Sequence, residues 1–129
     1  MRYLIKKLEK REIKDFNRDI LNESYKINYC KELNEEQLRA LTSLEGQYLV
    51  IAGAGSGKTR TIVYRTAFMI ERGIPEKNIL MLTFTKKAAL EMEERIKNLT
   101  SEKEIKVSVS TFHSLCAELL IKYKNIFGI

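Results

Sequence analysis

Cysteine occurs twice in this sequence, histidine and proline once each, and aspartate only as Asp15 and Asp19. Cys30 and Cys116 stand far apart without C-x-x-C or metal spacing, which argues against a disulfide framework or a zinc module. Two reduced thiols are expected, with Cys116 a buried structural one. His113 has no neighbour in the sequence suited to nucleophilic or metal chemistry, so it reads as a structural hydrogen-bonder. No apolar run approaches membrane-spanning length, and charge interrupts the start, Met1-Arg2-Tyr3-Leu4-Ile5-Lys6-Lys7, too soon for a signal peptide. Internal repeats and low-complexity linkers are missing too. What remains is the expectation of one cytoplasmic globular domain, 129 residues long and 44% hydrophobic, large enough for a real core.

Acidic residues are outnumbered, 17 against 23 Lys and Arg, for a net charge of +6. The surplus suits a polyanionic partner without identifying one. It is spread evenly: nine Lys/Arg against six Asp/Glu in residues 1–32, and fourteen against eleven in the remainder.

The informative stretch is Gln47-Tyr48-Leu49-Val50-Ile51-Ala52-Gly53-Ala54-Gly55-Ser56-Gly57-Lys58-Thr59. A short apolar run, a glycine-rich turn and Lys-Thr ahead of an amphipathic segment have the order strand, phosphate-binding loop, helix. Gly53, Gly55 and Gly57 lack Cβ and let the backbone take positive φ close to a polyphosphate. Successive amides form a nest for anionic oxygens, helped by the following helix N-terminus. Lys58 would reach the β- and γ-phosphates, and the Thr59 hydroxyl would ligate Mg²⁺. The strict pattern asks for glycine where Ala52 stands, and alanine is a common variant there. Glycines alternating as G-x-G-x-G do not make the G-x-G-x-x-G dinucleotide fingerprint, so the site reads as one for a nucleoside triphosphate. Such sites normally hold their metal with a second acidic residue at the end of a later strand. No Asp follows Lys58, and Glu102 and Glu104 precede the next strand rather than end it. The catalytic apparatus is therefore incomplete in this span.

In chain order, residues 2–26 carry Ile13, Phe16 and Ile20 at helical spacing, predicting one or two amphipathic helices and a break from Asn22 to Asn28. Asn34 is a good N-cap with Gln37 in capping-box position, so Leu38 and Leu41 face the core. Gln37 has a second reading, because its amide can pair with an adenine edge. Residues 58–72 predict a helix with Ile62, Val63, Thr66, Ala67, Met69 and Ile70 inward, stopped by Gly73 and Pro75. A strand over 78–83, a helix over 86–99 capped by Thr85, a strand over 105–109 and a helix over 112–124 with Leu115, Leu119 and Tyr123 inward follow. From residue 47 the order is βαβαβα, an α/β fold with a parallel sheet and right-handed crossovers. Ligands gather at the carboxyl ends of such strands. Two of those ends, Thr83-Phe84-Thr85-Lys86 and Ser110-Thr111-Phe112-His113-Ser114, each set an aromatic between hydroxyls. Phe84 and Phe112 read either as core residues or as platforms for bases, with Lys86, Lys87 and the hydroxyls on phosphates.

These pieces together resemble the start of the first RecA-like domain of UvrD/Rep/PcrA-type superfamily 1 helicases. Leu33-Asn34-Glu35-Glu36-Gln37 is similar to the Q motif, and Ala52 through Arg60 to motif I. Leu82-Thr83-Phe84-Thr85-Lys86-Lys87-Ala88-Ala89 with Glu91-Met92 resembles motif Ia, and Ser110–Ser114 motif Ib. The resemblance covers residues 33 to about 120 and implies a partial RecA-like ATP-binding domain over 33–129, preceded by a helical extension over 1–32. It makes Gln37 the adenine reader and ATP the nucleotide, with Ala52, Gly53, Ala54, Gly55, Ser56, Gly57, Lys58, Thr59 and Arg60 at the nucleotide, Lys58 catalytic and Thr59 on Mg²⁺. It sets Thr83, Phe84, Thr85, Lys86, Thr111, Phe112, His113 and Ser114 along single-stranded DNA. The family usually has Asn where Lys86 stands, so a phosphate contact survives there and a specific amide bond does not. The family's Asp-Glu pair, its γ-phosphate arginines and its second RecA-like domain are not in this span, so a piece of a longer helicase or translocase with little ATPase of its own is expected. A helicase–nuclease parent, a non-catalytic single-strand-binding module and a P-loop kinase or GTPase are the alternatives; the paired aromatic strand ends argue against the last.

Overall fold

The computed structural model describes residues 18–55 and 57–129; Ile13, Phe16 and Ser56 lie outside them. After a 3₁₀ turn at Arg18–Asn22, the chain runs through α1 (Tyr29–Glu32), α2 (Glu35–Thr42), α3 (Lys58–Glu71), β1 (Leu80–Thr83), α4 (Lys86–Thr100), β2 (Ser108–Thr111), α5 (Phe112–Lys122) and α6 (Lys124–Phe127). The fold is α/β. β1 and β2 pair in parallel with Leu80 opposite Ser108 and Thr83 opposite Thr111, and α4 connects them.

Local signals set the helix ends. Asn34 Oδ1 accepts from the Gln37 amide at 2.9 Å while Gln37 Oε1 accepts from the Asn34 amide at 3.0 Å, closing the capping box of α2. At the end of α3, Gly73 takes φ +86° and its amide donates to the Ile70 carbonyl. The Ile74 amide donates to Met69 at 3.0 Å, and both side chains pack in one cluster, which completes a Schellman motif. Thr85 caps α4 by accepting from the Ala88 amide. The break expected between Asn22 and Asn28 is present.

α3 is the central element because two cores meet on it. On one side Tyr64 and Phe68 join Tyr29, Leu33, Leu38 and Leu41. On the other, Val63 joins Ile79, Met81, Ile96 and Val107 between α3, α4 and the sheet. The first core holds an aromatic cluster, with Phe68 fully buried and meeting Tyr25 and Tyr29 edge-on at 5.3 and 5.2 Å between centroids. Its outer edge is polar: Glu71 accepts from the Lys26 amide at 2.7 Å and from the Tyr29 hydroxyl at 2.5 Å. Burial first, and the Glu71 carboxylate second, hold the Tyr29 phenol protonated far above its usual range.

Four expectations are corrected. Residues 47–51 are not a strand: they carry no ladder, and Leu49 and Ile51 are each 86% exposed. A strand needs hydrogen-bonded neighbours, and among the described residues β1 and β2 have only each other. The predicted βαβαβα order therefore reduces to a two-stranded sheet with helices. α5 buries none of its residues; Leu119 is exposed and Leu115 half-buried, and Tyr123, just past its end, is exposed, because α5 touches mainly β2 and α6. Ile62 turns outward rather than into the core. Cys116 is exposed on α5 like Cys30 on α1, and both are free thiols.

Candidate functional site

The glycine-rich loop enters α3 through Gly57, the N-cap residue, at φ +82°. A side chain at that φ is strained, so glycine is what lets the chain turn into the helix at this point. Among the described residues no side chain caps α3, and its first amides are of the kind that take an anion. Lys58 and Thr59 are exposed on the first turn. Gly55 is also left-handed at φ +76°, whereas Gly53 is not, so two of the three loop glycines take the expected positive φ.

Across from the loop stands α2. A Cβ on Gly57 would lie 2.8 Å from Gln37 Nε2. The Gln37 amide thus caps its own helix with its oxygen and lies against the loop with its nitrogen. Between α2 and the loop opens a groove of about 720 Å³ lined by Gln37, Tyr48, Gly53, Lys58, Thr61 and Arg65, among others. Arg65 donates to the Ala40 carbonyl and lies 5.9 Å from the Tyr48 ring centroid, making the far wall. Burial lowers its pKa, against a smaller opposing effect of Tyr48. Sequence reading missed Arg65, although its spacing from Lys58 and Thr61 puts all three on one helical face.

Arg60 does not face this groove. Its Nη2 donates to Glu32 Oε2 at 2.8 Å and to the Glu32 carbonyl at 3.0 Å, and its guanidinium covers the Tyr64 ring at 4.8 Å. A polyphosphate suits the loop: a left-handed glycine leads into a helix start that no described side chain caps, with an exposed ammonium beside it. Thr59 offers the hydroxyl oxygen a hard cation would take; among the described residues no cluster of three or more His, Cys, Asp or Glu gathers.

The second feature is built by the sheet register. Because Thr83 pairs with Thr111, the carboxyl ends of β1 and β2 are side by side. Phe84 and Phe112 follow them, with ring centroids 5.7 Å apart and planes tilted by 42°. Phe84 is 89% exposed, so the reading of it as core is excluded. Thr85 Oγ1 accepts from the Ala88 amide at 3.1 Å and Thr111 Oγ1 from the Ser114 amide at 3.1 Å, so both hydroxyls serve as helix caps. Thr83 is buried and donates to the Thr85 carbonyl. Lys86, His113 and Ser114, close to the two rings in the sequence, are exposed. The edge thus offers an aromatic pair, two helix N-termini and a lysine to one side of the sheet.

The sequence model of the UvrD/REP helicase N-terminal domain matches residues 33–128. The chain belongs to this family. The ATP-dependent DNA helicase PcrA of Staphylococcus epidermidis (strain ATCC 35984) is 43% identical over 100 residues, 77% of this chain and 14% of that protein. The PcrA of Staphylococcus aureus (strain Mu50) is 42% identical over 98 residues, 75% of this chain and 13% of that protein. The chain therefore spans about 14% of the length of the curated relatives it matches. Both sites of this UvrD/REP-family domain fall within the matched residues. The segment from Arg18 to Glu32 that packs on α3 precedes them. Among the described residues no helix is long and apolar enough to cross a membrane.

Proposed function

We propose that this chain is the nucleotide-binding start of the first RecA-like domain of a cytoplasmic ATP-dependent DNA helicase or single-strand translocase. The observation that carries this reading is the placement of Gln37 against Gly57, with Gln37 and Lys58 both lining the groove. Gln37 reads the adenine edge, the loop amides and Lys58 hold the phosphates, and Thr59 ligates the Mg²⁺ that accompanies ATP. When bound, Mg²⁺ neutralises charge on the phosphates. Lys58 stabilises charge on the γ-phosphate.

Single-stranded DNA lies across the edge of β1 and β2. Bases stack on Phe84 and Phe112, and Lys86 with the N-termini of α4 and α5 faces the phosphates. The span carries only one wall of an ATP site, so hydrolysis and movement on DNA belong to the longer protein, and the chain alone turns over little ATP. Leu49–Ile51 takes its place as a strand once further strands of the parent sheet pair with it.

Titration calorimetry with Mg·ATP tests this, on the chain and on Lys58→Ala, with and without an oligothymidine. The expected result is ATP binding that Lys58→Ala weakens at least about ten-fold, a loss of about 1.4 kcal/mol. Oligothymidine bound equally by both proteins, with no ATP bound by either, would overturn the motor reading in favour of a DNA-binding module.

A further inference from the structure

Among the described residues, the Glu32 carboxylate ties the chain ahead of α2 to the first turns of α3 by charged and polar contacts, beside the packing of Tyr29 and Leu33 on Tyr64. Its Oε2 accepts from Arg60 Nη2 at 2.8 Å and from the Tyr64 hydroxyl at 3.3 Å, while its own backbone carbonyl accepts from the same Arg60 nitrogen at 3.0 Å. Immediately after it, Leu33 is buried in the first core and its amide donates to the Tyr29 carbonyl. Asn34 then opens α2, and its amide holds Gln37 Oε1 at 3.0 Å. Gln37 Nε2 meets Gly57, whose hypothetical Cβ would also lie 4.0 Å from the Arg60 Cβ. The path from Arg60 and Tyr64 through Glu32, Asn34 and Gln37 thus returns to the loop from which α3 starts.

We propose that Glu32 is a positioning residue for base selection: by anchoring the chain ahead of α2 to Arg60 and Tyr64, it fixes the orientation of the Gln37 amide over the glycine-rich loop. This rests on the nucleotide-site reading above. The chemistry is asymmetric. Gln37 Oε1 spends one lone pair on the Asn34 amide and keeps the second, while Nε2 keeps its donors. Adenine offers a donor at N6 beside an acceptor at N7, whereas guanine offers acceptors at both O6 and N7. An amide held with Oε1 toward N6 and Nε2 toward N7 pairs with adenine and sets its oxygen against guanine O6; an amide free to rotate can turn Nε2 to O6 and regain one bond to guanine, so its discrimination falls. Phosphate binding at Lys58 and the loop does not pass through Glu32, so the two contributions separate.

The test measures affinities of the 129-residue chain for Mg·ATP, Mg·GTP and inorganic tripolyphosphate with magnesium. It compares the chain itself with Glu32→Gln, Arg60→Lys, the double variant and Lys58→Ala. Weakening or losing the half-exposed ion pair should weaken ATP about five-fold. GTP and tripolyphosphate should stay within about two-fold, so that the preference for ATP over GTP shrinks by the same factor. The double variant should be no worse than the poorer single one, since both break one linkage. Equal losses for ATP and tripolyphosphate, or an unchanged ATP-to-GTP ratio, would overturn the positioning role and leave the nucleotide site standing. If instead the unaltered chain binds none of the three in a Lys58-dependent way, the nucleotide-site reading itself fails, and this role with it. Should Glu32→Gln not fold, Arg60→Lys gives the same decision, because it leaves the Glu32 bond to Tyr64 in place.

Discussion

Substituting alanine in turn at Gly53, Gly55 and Gly57 separates what the glycine-rich loop does for the fold from what it does for the ligand. At Gly53 φ is outside the left-handed region and an added Cβ meets nothing within 4 Å among the described residues. Stability should then stay within about 0.5 kcal/mol of the parent. Gly55 has the same open surroundings but lies at φ +76°, so alanine there carries left-handed strain of about 1–2 kcal/mol. Gly57 adds a collision, with its Cβ only 2.8 Å from Gln37 Nε2. That nitrogen is the tip of a flexible side chain, so the collision itself is cheap. Moving it, however, disturbs the bond by which Gln37 Oε1 closes the α2 capping box, worth about a further 1 kcal/mol. The expected order of thermal midpoints, followed by far-ultraviolet circular dichroism, is therefore Gly53→Ala highest, Gly55→Ala lower and Gly57→Ala lowest. The last should lie on the order of 10 °C below the parent for about 2–3 kcal/mol in a chain of this size. Gly57→Ala alone should also erode the preference for ATP over GTP. A Gly57→Ala protein as stable as Gly53→Ala would refute both the left-handed entry into α3 and the contact with Gln37.

Phe68→Ala removes a fully buried ring held edge-on between Tyr25 and Tyr29 and should cost about 3–5 kcal/mol by urea unfolding; a loss under about 1 kcal/mol would mean that the segment ahead of α2 does not pack on α3. For pH, the Tyr29 phenol stays protonated in the fold while an unfolded tyrosine ionises near pH 10. Below that value both states hold the proton and the stabilisation is intact. Above it only the unfolded state loses the proton, so stability falls as pH rises. Melting curves at about pH 8 and pH 11 should therefore show a smaller alkaline drop for Tyr29→Phe than for the parent, and equal drops would remove Tyr29 as the cause.

What could be read from the sequence follows how far apart the interacting residues stand. The capping box of Asn34 and Gln37, the Gly73 stop and the Thr85 cap each join residues a turn apart, and each is present as expected. The linkage of Glu71 to Tyr29 spans 42 positions and that of Glu32 to Arg60 spans 28, and no periodicity encodes either. The core built by Tyr25, Tyr29 and Phe68 was hidden for that reason. Arg65 was legible in principle, since it repeats the helical face of Lys58. The exposed aromatics at the strand ends were legible only as a choice, because a Phe between threonines fits a core and a binding edge equally well until its surroundings are known. The two largest departures share one cause. Leu49–Ile51 has the composition of a strand buried on both faces, and α5 that of a helix with a covered face, yet both are exposed among the described residues. Apolar composition records the burial an element is suited to, while a strand assignment also needs a neighbour. Under the proposed function that neighbour is the remainder of the RecA-like sheet. A longer segment of the parent protein should then protect the amides of residues 49–51 from hydrogen exchange, whereas in the present chain they exchange as open backbone. Equal exchange in both would show that this run never joins the sheet.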